Sequence, residues 1–304
     1  MSKINFVCGS DPELFAVNEE GMCIPPAVVE FMGLNRVGTE NKKNPNRHPW
    51  YYLNDNIYPL IIADGAAFEF GRMPVGISAQ KHYDTVMYGI DKLQELINPF
   101  GLKVCTKASV PFNLDYYSKY GIDIYSDEFW MSVHFGCDPQ KNIYDFGRED
   151  AMLDVKEYLW RHAGGHLHIS SPDMDMHKLD WAFIQLCDVI LSQINIVNCP
   201  EEDVSMNLQR QNFYGKAGNY RYQIYPNNIH GLEYRTMSLT WNLHLDTVKK
   251  IFDGVEKIFD IVSDNDKLHY ILDVTDLVKR AKDSIKLFDK NMAQSILEEV
   301  EKCL

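Results

Sequence analysis

No stretch of the 304 residues approaches the roughly 18 consecutive apolar positions that a bilayer-spanning helix needs. The first fifteen residues, MSKINFVCGSDPELF, lack the basic region and long apolar run of a secretory signal, so a cytoplasmic protein without a membrane partner is expected (host cytoplasm, if phage-encoded). Cysteines are few and unpaired: Cys8, Cys23, Cys105, Cys137, Cys187, Cys199 and Cys303 are scattered, with no CxxC. That pattern argues against a disulfide frame or a thiolate zinc site and suits reduced thiols. Positive charge is also short, with 30 Lys and Arg against 43 Asp and Glu and a net charge of −13. Such a surface repels phosphate backbones and acidic leaflets, so no nucleic-acid partner is expected. An anionic substrate would need a locally basic pocket. No internal repeat or low-complexity tract is present.

What remains is an ordinary globular composition, 45% apolar and 24% charged, in a chain long enough for one large core, so a single domain over 1–304 is expected. Helical stripes of apolar residues follow Ser78 (Val86, Ile90, Leu93, Ile97) and Pro172 (Leu179, Phe183, Leu186, Ile190, Ile194). A third runs from Val248 to Val262, and a fourth from about 276 onward is broken near Asn291. Short strand-like runs fall at 4–8, 13–17, 58–63, 66–70, 130–135, 165–170, 221–225 and 231–236. Strand–turn–strand order predominates over regular β–α–β alternation, which predicts an α+β fold with a largely antiparallel sheet. The polar stretch 33–49 reads as a lid or substrate loop, or equally as a solvated insertion.

Four polar constellations stand out. In GSDPELF, Asp11 and Glu13 are two residues apart, so an extended backbone aims both carboxylates to one side, where a hard divalent ion would relieve their repulsion. The same letters also fit a turn. In ADGAAFEFGRMP, Glu69 lies between Phe68 and Phe70, so its face is not the hydrophobic one. In GGHLHIS, His166, His168 and Ser170 share one face of a strand, as metal ligands often do, behind glycines that permit close approach of a ligand. From 207 to 235, Arg210, Lys216, Arg221 and Arg235 outnumber Glu233, and GKAGNYR is glycine-punctuated like a loop that meets an anion. It is not the P-loop pattern. Each constellation has a structural reading; together they suggest one sheet face carrying a metal and a phosphate.

These motifs, in this order, resemble the glutamine synthetase and glutamate–cysteine ligase fold. GSDPELF, GGHLHIS and LEYR are similar to that fold's GPEPEFF-, GMHVHQS- and EFR-type strands. The closer likeness is to the carboxylate–amine ligases of that fold found in bacteriophages, over about residues 5–240. The resemblance implies a glutamine synthetase-like catalytic domain with a concave antiparallel sheet backed by helices. It implies Mg2+ (or Mn2+) held by Asp11, Glu13, Glu69, His166 and Glu233. It implies ATP facing His168 and Ser170, with Lys216 assisting and Arg210, Arg221 and Arg235 on the phosphates. The implied reaction joins a small-molecule or peptide carboxylate to an amine through an acyl phosphate, releasing ADP and phosphate. Asp11 departs from the usual glutamate, and Asp64 is the one candidate for a second acid beside Glu69. No counterpart of the separate amino-terminal domain of ring-forming glutamine synthetases is recognisable, so a monomer or small homo-oligomer is expected. A phosphotransferase of the same fold, a virion-associated binding protein and a histidine-dependent metallohydrolase remain open, and selectivity is expected from 33–49 and 105–130.

Overall fold

The computed structural model describes residues 4–35, 38–39, 50–51, 59–71, 73, 76–123, 141–145, 148–149 and 158–304. Most of the polar 33–49 stretch, residues 124–130, the expected strand 130–135 and Cys137 lie outside them. The strands are β1 (Val7–Val17), β2 (Gly38–Thr39), β3 (Trp50–Tyr51), β4 (Leu60–Asp64), β5 (Ala67–Gly71), β6 (Lys103–Cys105) and β7 (Ser109–Pro111). They continue with β8 (Lys141–Asn142), β9 (Arg148–Glu149), β10 (Trp160–His162), β11 (Gly165–Ser170), β12 (Asn219–Tyr225) and β13 (Ile229–Tyr234). Eleven of them form one sheet in the order β2-β3-β4-β5-β1-β11-β13-β12-β8-β9, with β6 also on β1; β7 and β10 pair separately. Every pairing is antiparallel, so the fold is α+β as expected.

The first strand is longer than the two runs read at 4–8 and 13–17: of the extended and turn readings left open for GSDPELF, the extended one holds, and Val7–Val17 is one continuous strand of 11 residues. Pro12 is tolerated because β1 changes partner there. Val7–Pro12 pairs with β11, Glu13–Leu14 with β5, and Phe15–Val17 with β6. A residue without an N–H donor costs least where one ladder ends and the next begins.

Side-chain alternation splits the sheet into a charged face and an apolar one. Phe68 and Phe70, flanking Glu69, are fully buried and pack with Leu14, Val86, Leu93 and Ile97. Leu167, Ile169, Leu232 and Tyr234 join Phe183, Ile190, Val248, Val255 and Phe259 in a second core. Those residues bring in the helices Ala79–Ile97, Asp180–Asn198 and Leu245–Val262, which cover the periodic segments read from sequence. Ser78 caps the first of them by accepting from the Lys81 N–H. The carboxy-terminal stripe is two helices, Leu277–Leu287 and Lys290–Cys303, broken at Phe288 (φ 52°), with Asp289 capping the second. Short helices at Pro26–Phe31, Val204–Gln211 and Asn265–His269 were not anticipated; each is too short to show a clear period.

Among the described residues, Asp180–Asn198 is the one helix long and apolar enough to cross a membrane, and its most apolar window is 78% buried inside the protein. Its middle, Cys187–Ser192, widens into a π-turn carrying the buried Asp188. Asp188 accepts from the hydroxyls of Tyr144 at 2.7 Å and Tyr234 at 2.5 Å, so a buried carboxylate ties this helix to β13.

Gly89 sits where the Ala79–Ile97 helix crosses β5. A methyl group there would lie 2.7 Å from the Phe70 ring and 2.8 Å from Pro59 Cγ, both of them buried. Overpacking costs about 1–3 kcal/mol and the gain in helix propensity is about 1 kcal/mol, so Gly89→Ala should be net destabilising. A urea titration should show a lower midpoint with an unchanged slope.

Candidate functional site

The charged face gathers its side chains by register. Asp11 lies opposite His166, Glu13 opposite Glu69, and His168 opposite Glu233, which in turn faces Arg221. Asp64, two residues beyond Ile62 on β4, shares the face of Glu69 because Ile62 is Glu69's partner. Two triads result, the ligand atoms in each lying within 4.8 Å of one another: Glu13, Asp64 and Glu69, and Asp11, His168 and Glu233.

His166 stands between them and is 1% exposed. Its Nδ1 is 3.3 Å from Asp11 Oδ1, 3.4 Å from Glu233 Oε1, 3.7 Å from Glu13 Oε1 and 3.3 Å from Arg235 Nη1. Arg235 also donates to Glu233 Oε1 in a short contact. Glu233 Oε2 accepts from Gln223 at 2.5 Å and lies 3.6 Å from Arg221 Nη1. His168 places Nε2 3.0 Å from Asp11 Oδ2, while its Nδ1 meets the Tyr225 hydroxyl at 2.7 Å. Glu13 Oε2 accepts from the Gly164 N–H at 2.5 Å and the Tyr214 hydroxyl at 3.1 Å. Glu13, His166 and Glu233 are nearly sealed; the site opens along Asp11, His168 and Arg221, whose side chains are 21%, 22% and 25% exposed.

The two triads differ in charge balance. Burial raises Asp11, but His166 and then His168 outweigh it and hold the carboxyl well below its usual range. Burial likewise opposes ionisation of Glu233, yet Arg235 and His168 bring it down to about 2. Against burial, the neighbouring Asp11 carboxylate raises His168. In the all-carboxylate triad, burial moves Asp64 from 3.8 to about 6, with Arg235 opposing and Asp11 adding. Burial, then Asp64, Asp11 and Glu13, drives Glu69 well above 4.5, and burial also raises Glu13. Burial and mutual repulsion in the first triad therefore favour the protonated forms, an effect that a bound cation would relieve. Its donors are all oxygen, which fits Mg2+, Mn2+ or Ca2+. Asp11 Oδ1 and His166 Nε2 are buried without a hydrogen-bond partner, a further mark of groups arranged for something other than each other.

Several expectations change in detail. His168, expected on the nucleotide, lies with Asp11 and Glu233, and His166, expected as a ligand, lies within 3.7 Å of Asp11, Glu233 and Glu13. Asp64 joins Glu69 as the second acid. Ser170 is buried at the far end of the same face, opposite Gly231. Arg210, expected on phosphate, is instead 2% exposed, and its guanidinium donates to the carbonyls of Thr236, Arg235 and Met237 at 2.7, 3.0 and 3.1 Å. It stacks 4.1 Å from the Tyr214 ring centre, so it braces the chain leaving β13. The glycines expected to approach a ligand approach the protein itself. A Cβ at Gly215 (φ 83°) would overlap Arg210, one at Gly218 (φ 78°) the Tyr144 ring, and one at Gly164 the His166 ring. Lys216 is exposed in the intervening loop. Gln223, Tyr225 and Tyr214 were missed. Gln223 follows Arg221 by two, so period-two reading would have found it, whereas nothing local marks Tyr214.

No protein-family model matches the chain, and no curated protein matches its sequence. Among solved structures, it aligns with the crystal structure of a bifunctional glutathione synthetase from Pasteurella multocida, at a TM-score of 0.41 and 10% identity. The alignment covers 98% of this chain and 49% of that one, so the chain spans about half that protein's length. A TM-score at that level does not establish a shared fold.

The protonated triad gives a pH signature. Groups raised on folding stabilise the metal-free fold below their unfolded values, and that contribution is lost as pH rises through the folded ones. For Asp64 the window runs from 3.8 to about 6, and Glu69, Glu13 and His168 act in the same direction. The melting temperature of chelator-treated protein should therefore fall from pH 5 to pH 8. Mg2+ or Mn2+ should recover it chiefly at the upper end, and Glu69→Gln should shrink both effects. Arg210→Met should instead lower stability by roughly 2–4 kcal/mol at every pH, through its orphaned carbonyls.

Proposed function

We propose that the chain is an ATP- and Mg2+-dependent carboxylate–amine ligase. The observation that carries this reading is the meeting, on one face, of an all-oxygen triad and a triad braced by His166 and Arg235, drawn from motifs that occur in the order of the glutamine synthetase-like ligases. Glu13, Asp64 and Glu69 would hold one Mg2+, and Asp11, His168 and Glu233 a second. Bound there, the ions would neutralise phosphate oxygens and the charge of the transferring phosphoryl group.

The chain's own residues have narrower tasks. Arg235, fixed between Glu233 and His166, and Arg221, on the open side, supply guanidinium donors to phosphate, and exposed Lys216 can add a cation. Ser170 and His168 line the same face toward the nucleotide. A substrate carboxylate oxygen attacks the γ-phosphorus and ADP leaves. The amine nitrogen then attacks the acyl carbon, the C–O bond to phosphate breaks, and a proton is lost from nitrogen. Positioning and electrostatics supply most of the rate, and no side chain acts as a covalent nucleophile. The carboxylate is a small molecule or peptide end, and the proposal needs neither nucleic acid nor a membrane. A cytoplasmic monomer or small homo-oligomer accords with it.

Calorimetry with a non-hydrolysable ATP analogue should show micromolar, Mg2+-dependent binding that Glu13→Gln weakens at least tenfold. Against a panel of acids and amines, ADP should appear with amide only when both partners are present. Glu233→Gln should lower that turnover by on the order of 100- to 1,000-fold. ADP with a phosphorylated acid and no amide would make the chain a phosphotransferase. Absence of nucleotide binding would overturn the ATP-dependent reading.

A further inference from the structure

A second group of metal-type side chains lies on the opposite, helix-facing side of the β12–β13 hairpin, apart from the site above. Side chains alternate along β13, so His230 shares its face with Leu232 and Tyr234, whereas Gly231 and Glu233 face the other way. The loop that follows β11 brings Asp175 and His177 against it, and ligand atoms of Asp175, His177 and His230 all lie within 4.8 Å of one another.

Hydrogen bonding fixes where the lone pairs are. His177 Nε2 faces two acceptors, the carbonyls of Gly231 at 3.1 Å and Gln223 at 3.2 Å, so Nε2 carries the proton and Nδ1 is left as a free donor of electrons. A ring nitrogen anchored on backbone carbonyls with its partner nitrogen free is the usual support of a metal-bound histidine. His230 Nδ1 is 3.0 Å from Asp175 Oδ1, which puts the proton on Nδ1 and leaves Nε2 bare. Asp175 is itself oriented by the His177 backbone N–H at 3.2 Å. The competing Lys178, 3.4 Å from Asp175 Oδ2, is 82% exposed and weakly held.

We propose that Asp175, His177 and His230 form a second divalent-metal site, selective for borderline transition ions such as Zn2+, Co2+ or Ni2+, that staples the 171–179 loop to the β12–β13 hairpin. Two imidazoles and a carboxylate suit those ions, while Mg2+ prefers oxygen and belongs on the other face. The two rings stack at 4.4 Å and 11°, so one ion cannot lie in both planes as they stand. Ligands about 2.0–2.2 Å from an ion lie roughly 3–3.5 Å apart, so the triad must close by about an ångström. His230, 35% exposed, can turn about its soft terminal torsion and exchange its hydrogen bond to Asp175 for the ion. Water fills the remaining coordination.

The test is a Co2+ titration of tag-free, full-length protein in saturating Mg2+, read by visible d–d absorption and by equilibrium dialysis. One Co2+ per chain should bind with a visible band; His230→Ala should abolish the band and weaken binding at least tenfold, and Asp175→Asn should weaken it. Should His230→Ala fail to fold, His230→Gln removes the imidazole while keeping a donor toward Asp175. Equal binding and equal spectra in wild type and these variants, or no Co2+ bound in Mg2+, would overturn the site.

Discussion

Five carboxylates share one face of a sheet with two guanidiniums and two imidazoles, and the rest of the site is arranged around that crowding. At the 4.8 Å limit within the Glu13–Asp64–Glu69 triad, two ionised carboxylates repel by about 3.5 kcal/mol at an effective dielectric of about 20. Three ionised pairs would approach 10 kcal/mol, as large as the whole stability of a typical domain. The fold cannot keep that triad fully charged and empty. A proton or a cation relieves the repulsion, and Asp64, Glu69 and Glu13 are all raised in the direction of holding protons. The Asp11–His168–Glu233 triad has a different solution built in, because the imidazoles and Arg235 supply the compensating charge.

What makes the crowding tolerable is the other face. The alternation that aims Glu69, His168 and Glu233 one way aims Phe68, Phe70, Ile169, Leu232 and Tyr234 into two cores against three long helices. Burial on that face, at roughly 25 cal/mol per Å² of apolar surface, is what the electrostatic strain of the charged face is set against. Asp188 adds a polar tether from the π-turn to Tyr234, the residue between Glu233 and Arg235. Arg210 fixes the backbone just beyond, at residues 235–237.

Much of this was legible in sequence because a strand's two-residue period survives in any context. Asp11 with Glu13, His166 with His168, and Glu233 with Arg235 each had to share a side, and Glu69 had to oppose its phenylalanine neighbours. The long helices were equally plain. What a one-dimensional pattern does not carry is the neighbour across the ladder. Only strand order sets Glu69 beside Glu13 and Asp11 beside both His166 and His168, so which carboxylates each histidine meets was not legible. Arg210 misled for a related reason: a basic residue near glycines looks the same in sequence whether it meets a phosphate or three backbone carbonyls. The GSDP segment stayed open between strand and turn because the cost of a proline depends on where its ladder ends.

The partner changes along β1 also govern when the site can exist. That one strand is completed by segments ending at residues 71, 105 and 170, and Glu233 and Arg235 arrive later still. Contacts of such long sequence separation are made late and together, after the entropy of closing large loops has been overcome. During synthesis Asp11 and Glu13 emerge long before His166 and His168 of β11, and Arg235 follows later still. A chain stopped before residue 233 would carry every triad residue but Glu233, and would lack Arg235 as well.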